Sequence, residues 1–207
     1  VKWQIHSKVL GVANEIRLRG LPLGMPRMDK IERPACPVPA IYSELRGAEL
    51  NAVLNDEQRA EFSKWKRETV AYFSSEQKRR SDVRETIATI DQGIKFKDYD
   101  VLHYVYTLDF RSRVYAQGSL ISPQGGDMQK ALICFSDSCK LGSTGAYWFK
   151  VHGANVWGED KLRFDERVSH CETDEFKDMC LDIAADPISF TDWTQSDKPW
   201  QFLAWCF

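Results

Sequence analysis

Long apolar runs are missing from this sequence. No stretch reaches the length that crosses a bilayer as a helix, and no secretory leader opens it, so no membrane partner is expected. Paired cysteines are missing too. The six cysteines, Cys36, Cys134, Cys139, Cys171, Cys180 and Cys206, form no C-x-x-C unit and are irregularly spaced. A chain of 207 residues has no need of disulfide staples, which favours reduced thiols and a cytoplasmic setting. His170-Cys171 has no second pair at ligand spacing, so no metal site is expected. There is no general excess of positive charge: the net charge is −2. That excludes a global basic field and leaves a local cleft as the means of holding a polyanion. No serine or cysteine beside His103 forms a nucleophile signature, and this histidine is expected to be structural. An initiating Met is absent, Val1 opens inside a helical pattern, and the last residues, 200–207, are mostly apolar. Both ends read as cuts, the expectation being an internal segment of a longer chain.

What is present suffices for a core. Apolar residues make up 43% and aromatics 12%, enough for one large domain or parts of two. The charge is uneven. Lys64, Lys66, Arg67, Lys78, Arg79, Arg80 and Arg84 outnumber the acids around them, whereas acids dominate between Glu159 and Asp197. One face is expected to meet nucleic acid and another solvent.

The stretch 108–130, LDFRSRVYAQGSLISPQGGDMQK, organises the chain. Val101, Leu102, Tyr104, Val105 and Tyr106 lead into it as a strand-like run. On a continuous strand Asp109, Arg111, Arg113 and Tyr115 share one face, and Leu108, Phe110, Val114 and Ala116 the other. A carboxylate two residues from an arginine can hold its fork, and fixed arginines beside a phenol ring suit a phosphate backbone and a stacked base. Residues 122–126 then form a turn, with Asp127 as the expected N-cap of a helix over 128–135.

The remaining elements read in order. Residues 1–19 give a helical pattern closed by Gly20. Residues 21–39 hold five prolines and form an extended, chemically silent connection. Asn55-Asp56 caps a long helix to about Phe96, with a break or bend near Ser74-Ser75. Its expected apolar stripes are Phe62, Trp65, Val70 and Phe73, then Val83, Ile87, Ile90 and Ile94. Gly142-Ser143-Thr144 caps a helix over 145–157 with Tyr147, Trp148, Val151 and Val156 on its apolar side. One or two helices follow over 165–185, broken near Thr173 and ended by Asp186-Pro187. Ser196-Asp197 caps a last helix with Pro199 in its first turn.

Several strings resemble one family. Asp109-Phe-Arg-Ser-Arg-Val-Tyr-Ala116 and then Pro123-Gln124-Gly-Gly-Asp-Met-x-Lys130 resemble the Asp-x-x-Gly-Arg motif and following loop of bacteriophage-type single-subunit RNA polymerases. Ser112 stands where that family has glycine. Tyr147-Trp-Phe-Lys-Val-His-Gly-Ala-Asn155, followed by Gly158-x-Asp160-Lys161, is similar to the phage branch nearly residue for residue. Val9-Leu-Gly-Val-Ala-Asn14 and Trp65-Lys66-Arg67 with the later basic cluster follow the family in order.

The resemblance implies a mixed α+β, helix-dominated fold that is part of a right-hand polymerase. Residues 1–100 would hold the thumb region and 101–138 a palm segment. Residues 139–198 would be a helical palm insertion, and 199–207 would return towards the palm. It implies contacts to template and RNA–DNA hybrid from Asp109, Arg111, Arg113, Tyr115, Gln124 and Lys130, and from Lys66, Arg67, Lys78, Arg79 and Arg80 on the basic helix. Lys161 would reach the phosphates of the incoming ribonucleoside triphosphate. The implied partners are a DNA template, the RNA transcript and ribonucleoside triphosphates, acting on a monomer in the cytoplasm (that of the host, if phage-encoded). The implied cofactor is Mg2+, two ions supporting in-line phosphoryl transfer. Its carboxylate ligands belong to motifs outside this segment, so no catalytic residue is expected here and the isolated segment is expected to be inactive. The residues alone leave two other readings open: a non-catalytic nucleic-acid-binding module, and a helical interaction domain whose arginines form surface ion pairs.

Overall fold

The computed structural model describes residues 1–118 and 120–207; Ser119, within the central stretch, lies outside the described residues. In chain order the elements are β1 (Trp3–Ile5), α1 (Ser7–Arg19), α2 (Gly47–Val53), α3 (Asp56–Phe96), β2 (Val105–Leu108), β3 (Val114–Gln117), α4 (Asp127–Ala131), β4 (Ile133–Phe135), α5 (Gly142–Trp157), α6 (Phe164–Glu172), α7 (Asp174–Ala185) and α8 (Pro199–Cys206). Helix dominates, with two small antiparallel sheets, β1–β4 and β2–β3. No helix among the described residues is long and apolar enough to cross a membrane. The chain divides into two compact units, Val1–Met25 with Glu85–Phe207, and Pro26–Arg84.

The first unit is built on the apolar face of α1. Val9, Leu10, Ala13 and Ile16 recur at helical spacing and are buried with Phe202 and Leu203 of α8, Ile183 of α7, Leu132 and Trp193. Burial of each Val, Leu, Ile or Phe among them favours folding by roughly 1.5–3 kcal/mol. Gly93 on α3 leaves room for Leu10, whose Cδ1 would lie 2.8 Å from an added Cβ. The helical pattern does not extend to Val1 as the sequence suggested. Trp3 and Ile5 alternate, pair with Phe135 and Ile133, and form β1. His6 then caps α1, its Nδ1 accepting a hydrogen bond from Val9 N at 3.4 Å.

That pairing also shortens the helix expected over 128–135. It stops at Ala131, because Ile133–Phe135 is taken up by the edge of β1. Asp127 is a cap, but of another helix. Its carboxylate accepts hydrogen bonds from Trp200 N at 2.8 Å and Gln201 N at 3.1 Å, at the start of α8. These are the amides a local N-cap would satisfy. The expected cap from Ser196-Asp197 is not formed: Lys198 holds the N-cap position without a side-chain bond, followed by Pro199. Helix α5 begins at Gly142 rather than after a 142–144 cap, and Trp148 stands about half exposed while Val151 and Val156 are buried. The break at Thr173 and the stop at Asp186 fall where expected.

In the second unit, Asn55 and Gln58 form a reciprocal cap, Gln58 N to Asn55 Oδ1 at 2.8 Å and Asn55 N to Gln58 Oε1 at 3.0 Å. Helix α3, which starts in this unit, runs unbroken for 41 residues, so no break falls at Ser74-Ser75. Neither serine removes a backbone donor, so nothing there interrupts the helical ladder. The inward stripe also differs. Val70 and Phe73 are exposed, and Thr69, Tyr72 and Glu76 are buried in their place. What covers that face is the proline-rich segment, laid antiparallel along the helix. Trp65 Nε1 donates to Pro34 O at 3.0 Å, Ile31 N to Glu76 Oε2 at 3.4 Å, and Arg79 Nη1 to Met28 O at 2.7 Å.

Candidate nucleic-acid interface

The central motif is a hairpin, not one continuous strand. β2 and β3 pair antiparallel, Val105 with Gln117 through Leu108 with Val114. The chain reverses over a three-residue loop, 110–112, with Ser112 N bonded to Asp109 O and Asp109 N to Arg113 O, both at 3.0 Å. The alternation that put Asp109, Arg111, Arg113 and Tyr115 on one face fails at this turn. Ser112 has φ 61°, the left-handed conformation that closes such a loop. Glycine adopts it freely, and a side chain there costs about 1 kcal/mol. A turn of this shape is one that glycine closes without strain, and Ser112 holds it with a side chain.

Asp109 gathers the same residues by another route. Its Oδ1 accepts from Arg111 N at 2.8 Å and Arg113 N at 3.0 Å. Its Oδ2 accepts from Tyr115 Oη at 3.2 Å and Arg111 Nε at 3.4 Å. These bonds, the Arg113 amide foremost, hold its carboxyl below the usual carboxylate range. Arg111 leans towards the ring of Phe110, 5.1 Å from its centroid, and that ring is 93% exposed. Arg113 is exposed, and its guanidinium has no hydrogen-bond or ion-pair partner among the described residues. The hairpin end thus offers one unpaired guanidinium, one half-engaged guanidinium and an open aromatic ring.

Gln124 is engaged internally. Its Oε1 accepts from Ala116 N at 2.7 Å and its Nε2 donates to Val114 O at 2.8 Å. Both ends of its amide are used on the backbone of β3. Lys130, on α4, is exposed. Lys161 lies in the α5–α6 connection, its side chain 89% exposed and its ammonium paired with Asp160 at 3.0 Å. Asn155 Oδ1 accepts from Arg167 Nη1 at 2.6 Å, and Arg167 also donates to Asp160 O at 2.7 Å and Leu162 O at 2.8 Å in that connection.

The candidate basic residues of α3, Lys66 to Arg80, belong to the second unit and differ sharply from one another. Arg79 is committed: it makes paired 2.8 Å bonds to Glu76 and reaches Met28 O, with 14% of its side chain exposed. The Arg79 guanidinium, aided by Arg80, lowers the Glu76 carboxyl to about 2. Arg80 is exposed and gives only its Nε to Glu76, at 2.9 Å. Lys66 lies over the Phe62 ring at 4.3 Å. Arg67 and Lys78 are exposed.

One feature of this unit escaped the sequence reading. Lys30, Arg33, Arg80 and Arg84 line a groove of about 670 Å³ with Tyr72 and Phe73. Arg33 sits over the exposed Phe73 ring, 5.5 Å from its centroid. Lys30 and Arg33 come from the proline-rich connection taken as silent. The available signal was its own basic residues, which repeat too irregularly to suggest a partner helix.

Comparison with known proteins bears on the whole chain. A family model for DNA-dependent RNA polymerase matches residues 139–207. The chain is 34% identical over 207 residues to a DNA-directed RNA polymerase of Enterobacteria phage K11, covering 99% of this chain and 21% of that protein. It is 33% identical over 206 residues to T7 RNA polymerase of Escherichia phage T7, with the same coverage of 99% and 21%. A mitochondrial DNA-directed RNA polymerase 1B of Nicotiana tabacum is 29% identical over 208 residues, covering 99% of this chain and 19% of the relative. The chain spans about a fifth of the length of the curated relatives it matches.

Proposed function

From a chain that belongs to the bacteriophage-type single-subunit DNA-directed RNA polymerase family, we propose that the full-length protein transcribes a DNA template from ribonucleoside triphosphates. Within it, residues 1–100 contain the thumb region, 101–138 a palm segment, 139–198 a palm insertion and 199–207 the return towards the palm. The β2–β3 hairpin holds template and hybrid, and Lys161 meets the triphosphate. The observation that carries this reading is the hairpin end. The Arg113 guanidinium has no partner among the described residues, at a turn whose shape Asp109 fixes. A guanidinium in a rigid setting suits bidentate contact with a phosphate.

The family reaction needs Mg2+, which supplies charge stabilisation to the attacking and leaving oxygens. The carboxylates described here do not fit that task. Asp109 is filled by two amides, a phenol and an arginine, and Asp127 by the start of α8. No group of three or more His, Cys, Asp or Glu among the described residues is placed to hold a metal ion. No step of the reaction is therefore assigned to a metal on this segment. Its part is binding: phosphate contact by Arg113, Arg111, Lys130, Lys78, Arg80, Arg67 and Lys66, ring contact by Tyr115, and triphosphate contact by Lys161. Arg79 and Gln124 act through structure, because their polar groups are engaged internally.

The test is primer extension by the full-length protein on an RNA–DNA scaffold, with Mg2+ and ribonucleoside triphosphates. Template-directed growth of the RNA is expected, and Lys161→Ala is expected to raise the apparent nucleotide KM about tenfold, the loss of one charge-assisted contact. No extension by the wild type overturns the function, and unchanged nucleotide kinetics in the variant remove Lys161 from the site.

A further inference from the structure

The β2–β3 hairpin has little of its own to hold it. Its strand residues are exposed on both faces, save a half-buried Ala116, so no apolar packing fixes its direction. Isolated two-stranded hairpins are marginal in water. Yet the arginines at its end must keep a set position if they are to meet a phosphate backbone.

The ladder shows which groups are left over. Thr107 pairs with Tyr115, and Asp109 N bonds to Arg113 O, so the backbone groups of Arg113 and Tyr115 face β2. Those of Val114 and Ala116 face the free edge. Gln124 occupies that edge: its side-chain amide accepts from Ala116 N and donates to Val114 O, as a third strand would. The loop carrying Gln124 is itself fixed. Ser122 Oγ accepts from Gln124 N at 3.2 Å, and Ser122 O from Gly125 N at 3.1 Å. Two residues on, α4 begins, and its Asp127 holds the start of α8 in the core.

We propose that Gln124 is a positioning residue: it clamps the free edge of β3 to the loop before α4 and so sets Arg113 against the RNA–DNA hybrid. The proposal rests on the polymerase reading above. Gln124 touches no nucleic acid in this account and acts through Arg113. Its neighbour at the hairpin end, Asp109, shapes the loop, and Gln124 orients the whole hairpin.

A double-mutant cycle in the full-length protein tests this, with wild type, Q124A, R113A and Q124A/R113A assayed for primer extension and retention of a preformed hybrid. A misplaced contact costs on the order of tenfold to a hundredfold, so Q124A is expected to lose that much. In the R113A background the further loss is expected to stay within about twofold, since the group being positioned is gone. Q124E keeps an acceptor for Ala116 N but sets a carboxylate oxygen against Val114 O, which repels it, so it should lose at least as much as Q124A. It also carries the same cycle if Q124A folds poorly. Equal losses from Q124A with and without Arg113 would overturn the proposal, as would a silent Q124A beside an impaired R113A. A silent R113A in an active polymerase removes the hybrid contact itself. A wild type that cannot extend a primer removes the polymerase reading, so the two failures are distinct.

Discussion

Ser112 is the residue whose conformation and chemistry disagree most. It holds φ 61° without the freedom of glycine, and it does so because Asp109 bonds the amides on either side of it. Replacing it with glycine should relieve about 1 kcal/mol of backbone strain, partly offset by the greater freedom glycine adds to the unfolded chain. The check is amide exchange at Asp109, whose N–H closes the loop on Arg113 O. Slower exchange in Ser112→Gly is expected, and faster exchange would show the strain assignment to be wrong. The residue types at this site were readable from the sequence; their arrangement was not. Phe-Arg-Ser carries no glycine or proline to announce a turn, so period-two alternation ran straight through it.

Among the elements, α3 and its proline-rich cover depend on Glu76. The carboxyl titrates near 2, below its ordinary value, so its charge favours the folded state fully above pH 4.5. As pH falls from 4.5 towards 2 the unfolded chain takes up the proton first, and that contribution is lost. Acid unfolding of the wild type should therefore steepen across this window, and Glu76→Gln should flatten it while lowering stability at neutral pH. Parallel pH profiles for the two would contradict the clip. The helix cap was legible because Asn55 stands directly before the helix it caps, and the Thr173 break because its signals are local; the Gln58 half of the cap came only with the structure. The clip was not, since Glu76 meets Ile31 only after the connection has folded back along the helix.

α8 shows the same contrast. Asp127 satisfies its first amides from 73 residues away. Asp127→Ala should cost about 1–2 kcal/mol, as loss of an N-cap does, and Asp127→Asn should retain part of it. Thermal unfolding of the first unit measures both. Equal stability of the alanine variant would mean that water replaces the cap without loss.

At the scale of the whole molecule, the net charge of −2 leaves binding of a polyanion to local sites, and the exposed cations Arg113, Lys130 and Lys161 sit on a hairpin, a helix and a loop. The division of Arg79 and Gln124 from Arg113, Lys130 and Lys161 follows from backbone partners on other segments, Met28 O for Arg79 and the edge of β3 for Gln124, which no motif displays. The central claim is that the hairpin end meets the hybrid. Its most direct test is primer extension by the full-length protein with Arg111 and Arg113 both changed to alanine, in the presence of Mg2+. The account predicts that the variant folds, releases short RNAs and loses processive synthesis that the wild type sustains. Undiminished synthesis of full-length RNA by the folded double variant would contradict it.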